Sequence, residues 1–208
     1  MSDVADSLRE KQKRLTRELI LRATADEIVE KGIGLLSLQA VAERAGVSNK
    51  TLYNHFDNRE TLLGELGRWA DELTLERGGP VDLPDDLRAL AAAIPAAWRS
   101  WEMLGTVFEA LVQIWASEGV EQIEYYADDE RRHSLAVRSA VSSVRPDLTE
   151  DQVAAIGGLL RALGNPDVWR RMTTSYGATT EQGGQAVGWA VGLICDALES
   201  GDDPFGDG

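Results

Sequence analysis

The sequence has little cysteine, and it has no long apolar run. The single cysteine, Cys195, excludes a disulfide within the chain, and its aliphatic neighbours favour core packing over a redox role. No segment has the length and apolar character of a membrane-spanning helix or a signal peptide. We therefore expect a cytoplasmic protein without a membrane partner.

The motifs of enzymes and metal sites are also missing. The chain has only two histidines, His55 and His133, and it contains no GxSxG elbow, glycine-rich phosphate loop or HExxH motif. His133 lies beside Arg131 and near Asp129, but without HxxxH or CxxC spacing a solvated helix face is favoured over a metal ligand. The sequence predicts no enzyme, no metal and no cofactor.

Negative charge is plentiful, but it is unevenly spread. The net charge is −14, which by itself argues against a polyanionic partner. Residues 1–60, however, hold ten Lys or Arg and ten Asp or Glu, so the remaining residues carry the whole deficit. The basic run around Arg9, Lys11 and Lys13 is either an arm that follows a phosphate backbone or a solvated tail.

Residues 37–56 read as two short helices joined by a glycine turn. Ser37 is a candidate N-cap, and apolar residues then recur at helical spacing up to Ala45. Gly46 can close that helix in the left-handed conformation, and Ser48 offers a second N-cap. The pattern predicts a helix-turn-helix, the motif that places one helix in a DNA major groove.

The second of these helices has one apolar and one polar side. Leu52 and Phe56 share a face, and the opposite arc holds Lys50, Thr51 and Asn54. Donors and acceptors on an exposed arc can contact base edges, while flanking hydroxyl or imidazole groups can bind phosphate oxygens. An ordinary helical hairpin with a solvated outer face is the alternative.

Helical patterns flank this motif on both sides. Residues 14–31 lack proline and glycine and predict a long helix, and residues 57–60 can cap another helix with an apolar stripe. This region resembles the TetR family of bacterial regulators from about Arg14 to Leu66. The matching residues are Ile20, Ala23, Gly32, Ser37-Leu38, Val41-Ala42, Ala45-Gly46-Val47-Ser48, Thr51-Leu52-Tyr53, His55-Phe56, Glu60 and Leu62-Leu63.

The resemblance implies roles for individual residues. Ser37 would bind a phosphate, Tyr53 and His55 would hold the DNA backbone, and the polar arc would face the bases. Arg59 stands where the family usually has lysine, which keeps the positive charge. Leu36 and Ile33 depart from a common threonine and a common aromatic residue, and both are interpreted as repacking. The candidate DNA-binding residues are Ser37, Gln39, Ser48, Asn49, Lys50, Thr51, Tyr53, Asn54, His55 and Arg59.

The chain divides at a segment rich in glycine, proline and aspartate. We expect a helix-turn-helix domain at residues 1–60 with a basic arm at 1–14, joined through a helix at 61–76. A linker follows at 77–86, and a C-terminal domain occupies 87–208. The predicted fold class is all-α with about nine to ten helices. By resemblance, the larger C-terminal domain would bind a ligand and dimerise.

The last two long helices contain closely spaced glycines. Small residues at four-residue spacing let helix backbones approach closely, either in a homodimer or within one chain. In the family the corresponding helices pair with their copies, which favours the homodimer. The candidate dimer residues are Gly157, Leu160, Gly184, Gly188, Val191 and Gly192.

Aromatic residues of the C-terminal part are candidates for a pocket that binds a small-molecule effector, although an aromatic stripe also suits a simple core. They are Trp98, Trp101, Phe108, Trp115, Tyr126 and Trp169. The resemblance implies a repressor that binds a palindromic double-stranded DNA operator as a homodimer and is released by the effector. The alternative is a helical protein-interaction module that keeps the fold without operator binding.

Overall fold

The computed structural model describes residues 2–77, 79, 84 and 86–205, with side chains from residue 8 onwards. Throughout these residues the chain is helical and contains no β-strand, which confirms the predicted all-α class. The α-helices, in chain order, are α1 Ser2–Lys31, α2 Leu38–Ala45, α3 Asn49–Tyr53, α4 Arg59–Glu76, α5 Leu87–Leu104, α6 Thr106–Trp115, α7 Glu124–Val144, α8 Glu150–Leu163, α9 Pro166–Thr174 and α10 Thr180–Glu199.

Two short 3-10 helices, Ile33–Leu35 and Val120–Gln122, complete the regular structure. The helices form two compact units. The first unit comprises Met1–Glu72 and Leu104–Ala127, and the second comprises Leu73–Met103 and Asp128–Gly208. Most of the segment 77–86, for which a linker is predicted, lies outside the described residues.

Helix α1 begins earlier than the sequence pattern indicates. It starts at Ser2, so the residues of the predicted basic arm continue the same helix up to Lys31. The segment has no glycine or proline that would interrupt the hydrogen-bond ladder. The basic residues therefore lie on a helix surface, where side chains three or four residues apart are neighbours.

The first unit has an aliphatic core to which α1 to α4 contribute. Its members are almost completely removed from solvent, which makes burial of apolar surface the main source of stability. Tyr126 also belongs to this unit, and its hydroxyl donates to the carbonyl of Leu63 at 2.9 Å. The fully buried aliphatic and aromatic side chains include Ile20, Leu21, Ile28, Val41, Leu52, Phe56, Leu62, Leu63 and Leu66.

The second unit is built around α5 and α10. Trp98 of α5 is fully buried, and its ring occupies the space that a β-carbon at Gly183 would need, 2.3 Å away. Pro95 lies inside α5 and removes one backbone donor, but the helix continues to Leu104. Cys195 is buried in this unit, as its predicted place in the core requires.

Candidate nucleic-acid interface

Local side-chain hydrogen bonds define the ends of α2 and α3. The hydroxyl of Ser37 accepts from the backbone N–H of Ala40 at 3.1 Å, and the hydroxyl of Ser48 accepts from that of Thr51 at 3.0 Å. Each bond satisfies a donor that the first turn of a helix leaves unpaired. Both serines therefore act as the N-caps that the sequence predicts.

The turn between the two helices depends on one glycine. Gly46 has φ 68° and ψ 28°, the left-handed conformation, and its N–H closes the last turn of α2. A residue with a β-carbon is strained there, whereas glycine is not. Leu52 of α3 is completely buried, so α3 is held by its apolar side and its opposite side stays at the surface.

The exposed side of α3 carries polar groups in close succession. Lys50, Asn54 and Tyr53 are exposed, Tyr53 by 52%, while Thr51 is half-buried and lies 2.8 Å from the Ser48 hydroxyl. Ser37, Gln39, Ser48 and Asn49 are exposed as well. We call the exposed surface of Ser37, Gln39, Ser48, Asn49, Lys50, Thr51, Tyr53 and Asn54 the polar ridge.

Two further candidates have contacts inside the first unit. Arg59 is half-buried, and its guanidinium donates to the carbonyl of Ile33 at 2.9 Å, which fixes the start of α4 to the 3-10 helix. Burial lowers the pKa of His55 below its ordinary value of 6.5, and the nearby positive charges of Lys13 and Arg17 lower it further. His55 is therefore neutral at physiological pH.

Lys13 and Arg17 add basic charge that the candidate residues did not include. Both belong to α1, four residues apart and hence on one side of the helix, and both act electrostatically on His55 at the end of α3. The spacing of these two residues was the available signal. The spacing places both residues on one side of a helix only if α1 continues upstream of Arg14, and the sequence pattern did not indicate that it does.

A charged cluster fastens α2 to α1 behind the polar ridge. Glu27 is almost fully buried and contacts both Lys31 and Arg44 at 2.8 Å. Arg44 also pairs with Glu30. Hydrogen bonding from Lys31 first, and then from Arg44, holds the pKa of Glu27 below its ordinary value despite burial. The carboxylate therefore stays charged, and α2 keeps its place on α1.

Comparison with protein families gives a match over the same region. Residues 20–66 match the family described as bacterial regulatory proteins, tetR family. This segment of the chain is therefore similar to the DNA-binding region of the TetR family. The matched range contains α2, the glycine turn and α3, so the polar ridge lies on the helix-turn-helix by which these regulators bind DNA.

A known transcriptional repressor is similar to the chain at low identity. The transcriptional repressor BepR of Brucella suis is 23% identical over 150 residues, which cover 70% of this chain and 65% of the relative. The chain thus spans just under two thirds of the length of that relative. None of the helices within the described residues is long and apolar enough to cross a membrane.

Solved structures of similar fold cover more of the chain. NalD of Pseudomonas aeruginosa, a repressor of a multidrug efflux pump, has a TM-score of 0.67 at 19% identity, covering 88% of this chain and 96% of NalD. PfmR of Thermus thermophilus has a TM-score of 0.58 at 22% identity, covering 85% and 93%. At these identities the likeness concerns the fold.

The six aromatic candidates divide between the two units. In the second unit Trp98 and Trp101 stack with ring centroids 6.4 Å apart, and Trp101 meets Trp169 edge-on at 6.5 Å. In the first unit Phe108, Trp115 and Tyr126 form two edge-on contacts, at 5.8 and 6.1 Å. Each group is a continuous set of ring contacts within one unit.

The glycine candidates lie against the chain itself. A β-carbon at Gly184 would lie 3.1 Å from Pro95, and one at Gly188 would lie 3.1 Å from the carbonyl of Ala91, so both glycines face α5. Gly157 lies against Arg138 of α7 in the same way. These contacts fit close packing within the chain, the alternative interpretation, and a role of these three in a homodimer stays a prediction.

The two aliphatic candidates are also buried within the chain. Leu160 is 3% exposed and Val191 is 1% exposed, whereas Gly192 is half-buried with open space around its Cα. A residue that its own chain covers has little surface to offer a second copy. The large exposed apolar residues on these helices are others, Leu159 of α8 and Trp189 and Leu193 of α10. The sequence pattern singled out the inner face of the two helices.

Proposed function

We propose that this protein is a transcriptional repressor of the TetR family that binds duplex DNA through the polar ridge. The observation that carries the proposal is the arrangement of α3. Its apolar residue Leu52 is fully buried, while Lys50, Tyr53 and Asn54 are exposed beside one another. Amide and ammonium groups on such a surface can hydrogen-bond to base edges and phosphates.

Basic residues of α1 extend this surface. Lys13 and Arg17 act on His55, so positive charge lies next to the end of α3. Each lysine or arginine that neutralises a phosphate releases counterion, which makes the affinity fall with rising salt. The N-terminal sequence is electrically neutral as a whole, and Arg17 also pairs with Glu65, so Lys13 is the basic group of α1 that we propose for a phosphate contact. Repression is proposed by analogy with the repressor BepR.

A homodimer is the proposed functional form. Leu159, Trp189 and Leu193, which we call the apolar face, are about half exposed or more, Trp189 by 68%. Large exposed apolar residues on neighbouring helices are typical of protein interfaces. A second copy is the proposed partner, because two-fold symmetry would pair the polar ridge with its copy on successive major grooves about 34 Å apart.

A small-molecule effector is proposed to regulate DNA binding. Trp98, Trp101 and Trp169 of the second unit offer aromatic surface, and Trp101 is half-buried. A ligand changes DNA affinity if it binds the DNA-competent form and another form with different strength. A thermal-shift screen of compounds, followed by DNA binding with each hit, identifies the effector.

The DNA-binding proposal is tested with fluorescence anisotropy on DNA from upstream of the gene. Lys50→Ala and Tyr53→Ala should each weaken binding by about tenfold or more, since charged and base contacts contribute roughly 1–3 kcal/mol each. Glu60→Ala is the control, an exposed residue of the first unit outside the polar ridge. Wild-type protein that shows no preference for any upstream fragment over unrelated DNA would favour the interaction module instead.

A further inference from the structure

A polar groove lies between α7 and α8 in the second unit, away from the aromatic residues assigned to the effector. Its volume is about 310 Å³, the size of a small-molecule site. Polar residues line it along α7 and small residues line it along α8, each set at four-residue spacing and hence on one helix side. These residues are Glu130, Ser134 and Arg138 on α7, and Ala154, Gly158 and Ala162 on α8.

The groove exists because α8 has almost no side-chain volume along this side. A β-carbon at Gly158 would meet no other atom within 4 Å, so the space above the helix is open. Glycine inside a helix destabilises it by about 1 kcal/mol relative to alanine, and no backbone conformation requires glycine here. The open space is therefore not explained by helix stability or by close packing.

Two arginines give the groove its charge. The stem of Arg138 lies on α8, with its Cγ 3.2 Å from the place of a β-carbon at Gly157. Arg161 of α8 pairs through its Nη2 with Glu130 at 2.6 Å. The lining holds two arginines and one carboxylate, so the groove carries a net positive charge in the part of the sequence that carries the whole negative excess.

Arg161 also has an unused donor. Its Nε is buried and has no hydrogen-bond acceptor within the described residues. A buried donor without an acceptor is costly, and Nε adjoins Nη2, which Glu130 already occupies, so an anion bound here would take Nε alone on this edge. Ser134 and Asn165, at the wall and at one end of the groove, carry further groups that can donate.

We propose that the groove between α7 and α8 binds a small organic anion through a carboxylate or phosphate group, held by Arg138 and Arg161. Glu130 orients Arg161 for this contact, and the small residues of α8 leave room for the ligand. The site is additional to the proposed effector residues and uses none of them. Guanidinium pairs suit both anion types, so the two are separated by experiment.

Isothermal titration calorimetry of the full chain with citrate, and separately with inorganic phosphate, tests the proposal. Sodium chloride keeps the ionic strength constant between the two titrations. We expect one saturable site per chain for at least one of the two probes, and the stronger probe identifies the anion class. Arg138→Gln should weaken binding by about tenfold or more, because hydrogen bonds between charged groups are the strong ones. Gly158→Leu should abolish binding by filling the groove.

A matched variant separates the site from general charge effects. Arg131→Gln removes an exposed arginine of α7 that pairs with Asp128 outside the groove. This variant should bind the anion nearly as the wild type does. Absence of saturable binding, or an equal loss in Arg131→Gln, would overturn the proposal. So would a Gly158→Leu protein that keeps anion affinity but changes its sedimentation, since the groove would then be covered by a second copy.

Discussion

The polar ridge and the apolar face are built from opposite kinds of side chain. The ridge presents hydroxyl, amide and ammonium groups from short helices that local caps hold in place. The apolar face presents Leu159, Trp189 and Leu193 from two long helices. A polar surface is stable in water and keeps its groups ready for a hydrated polyanion. An apolar surface of large side chains is stabilised only when a partner covers it and removes it from water.

This difference implies that substitutions act on different properties in the two regions. Around α3, the buried side supports the ridge, so core substitutions change folding and DNA binding together. On α8 and α10 the inner glycines pack against the chain while the outer residues remain exposed. Substitutions of the exposed outer residues should change association, while the fold of the chain is retained. The following predictions test this contrast, from the largest expected effect to the smallest.

Leu52→Ala should have the largest effect on the first unit. Leu52 is 0% exposed and is the apolar anchor of α3, so its truncation leaves a cavity under the polar ridge. Such changes cost about 2–5 kcal/mol of unfolding free energy. Urea denaturation followed by circular dichroism measures the loss. Leu35→Ala, at a leucine that is 74% exposed, should be nearly neutral, and similar losses for both would show that α3 is not anchored as described.

Trp189→Ala should weaken association without unfolding the chain. Trp189 is 68% exposed, and a large aromatic residue at the centre of an interface contributes about 2–4 kcal/mol, or roughly 30-fold to 1,000-fold in the dissociation constant. Sedimentation equilibrium measures this change. Tyr176→Ala removes another exposed aromatic residue, outside the helices, and should leave association unchanged. A monomeric wild type would remove the basis for the comparison between the two surfaces.

How much the sequence can predict also differs between these surfaces. Ser37, Gly46 and Ser48 act on backbone groups only a few residues away, so spacing alone predicts their roles. The glycines of α10 depend on a helix that is distant in sequence. Periodicity shows that Gly184 and Gly188 share a side of the helix, but it cannot show that α5 covers that side.

The start of α1 and the course of α5 show a second limit. A basic, exposed segment such as residues 8–14 has no apolar periodicity that would distinguish a helix from a tail, although it lacks helix-breaking residues. Pro95 removes one backbone donor from α5, yet the helix continues to Leu104. At this point of α5, Pro95 packs against Gly184 and Gly188 of α10. In both segments contacts beyond the local sequence decide the outcome.

Arg44→Leu should destabilise the first unit at neutral pH by less than the core truncation does, since it leaves buried Glu27 with one cationic partner instead of two. The pKa of Glu27 is lowered in the folded chain, so the contribution of Arg44 is present above the ordinary value of 4.5 and is lost as the pH falls through the folded value. Urea denaturation at a series of pH values should therefore show the variant approaching the wild type in acid. Arg14→Leu, which removes an exposed pair with Glu18, serves as the control. A difference independent of pH would mean that lost packing, and not the charge, explains the effect.

Gly46→Ala should give the smallest effect, a loss of about 1 kcal/mol in the free energy of unfolding. The sign of this change tests the contrast between the two regions. No atom lies within 4 Å of the added β-carbon, so the cost is the left-handed backbone alone, with φ 68°. Gly158→Ala on α8 also adds a methyl group to open space, but in an ordinary helical conformation, and should gain about 1 kcal/mol. The same substitution is thus expected to have opposite signs, because glycine is needed for backbone conformation in the turn before α3 and for space on α8. Thermal unfolding of both variants measures the signs, and a stabilised Gly46→Ala protein would show that the turn does not depend on the left-handed conformation.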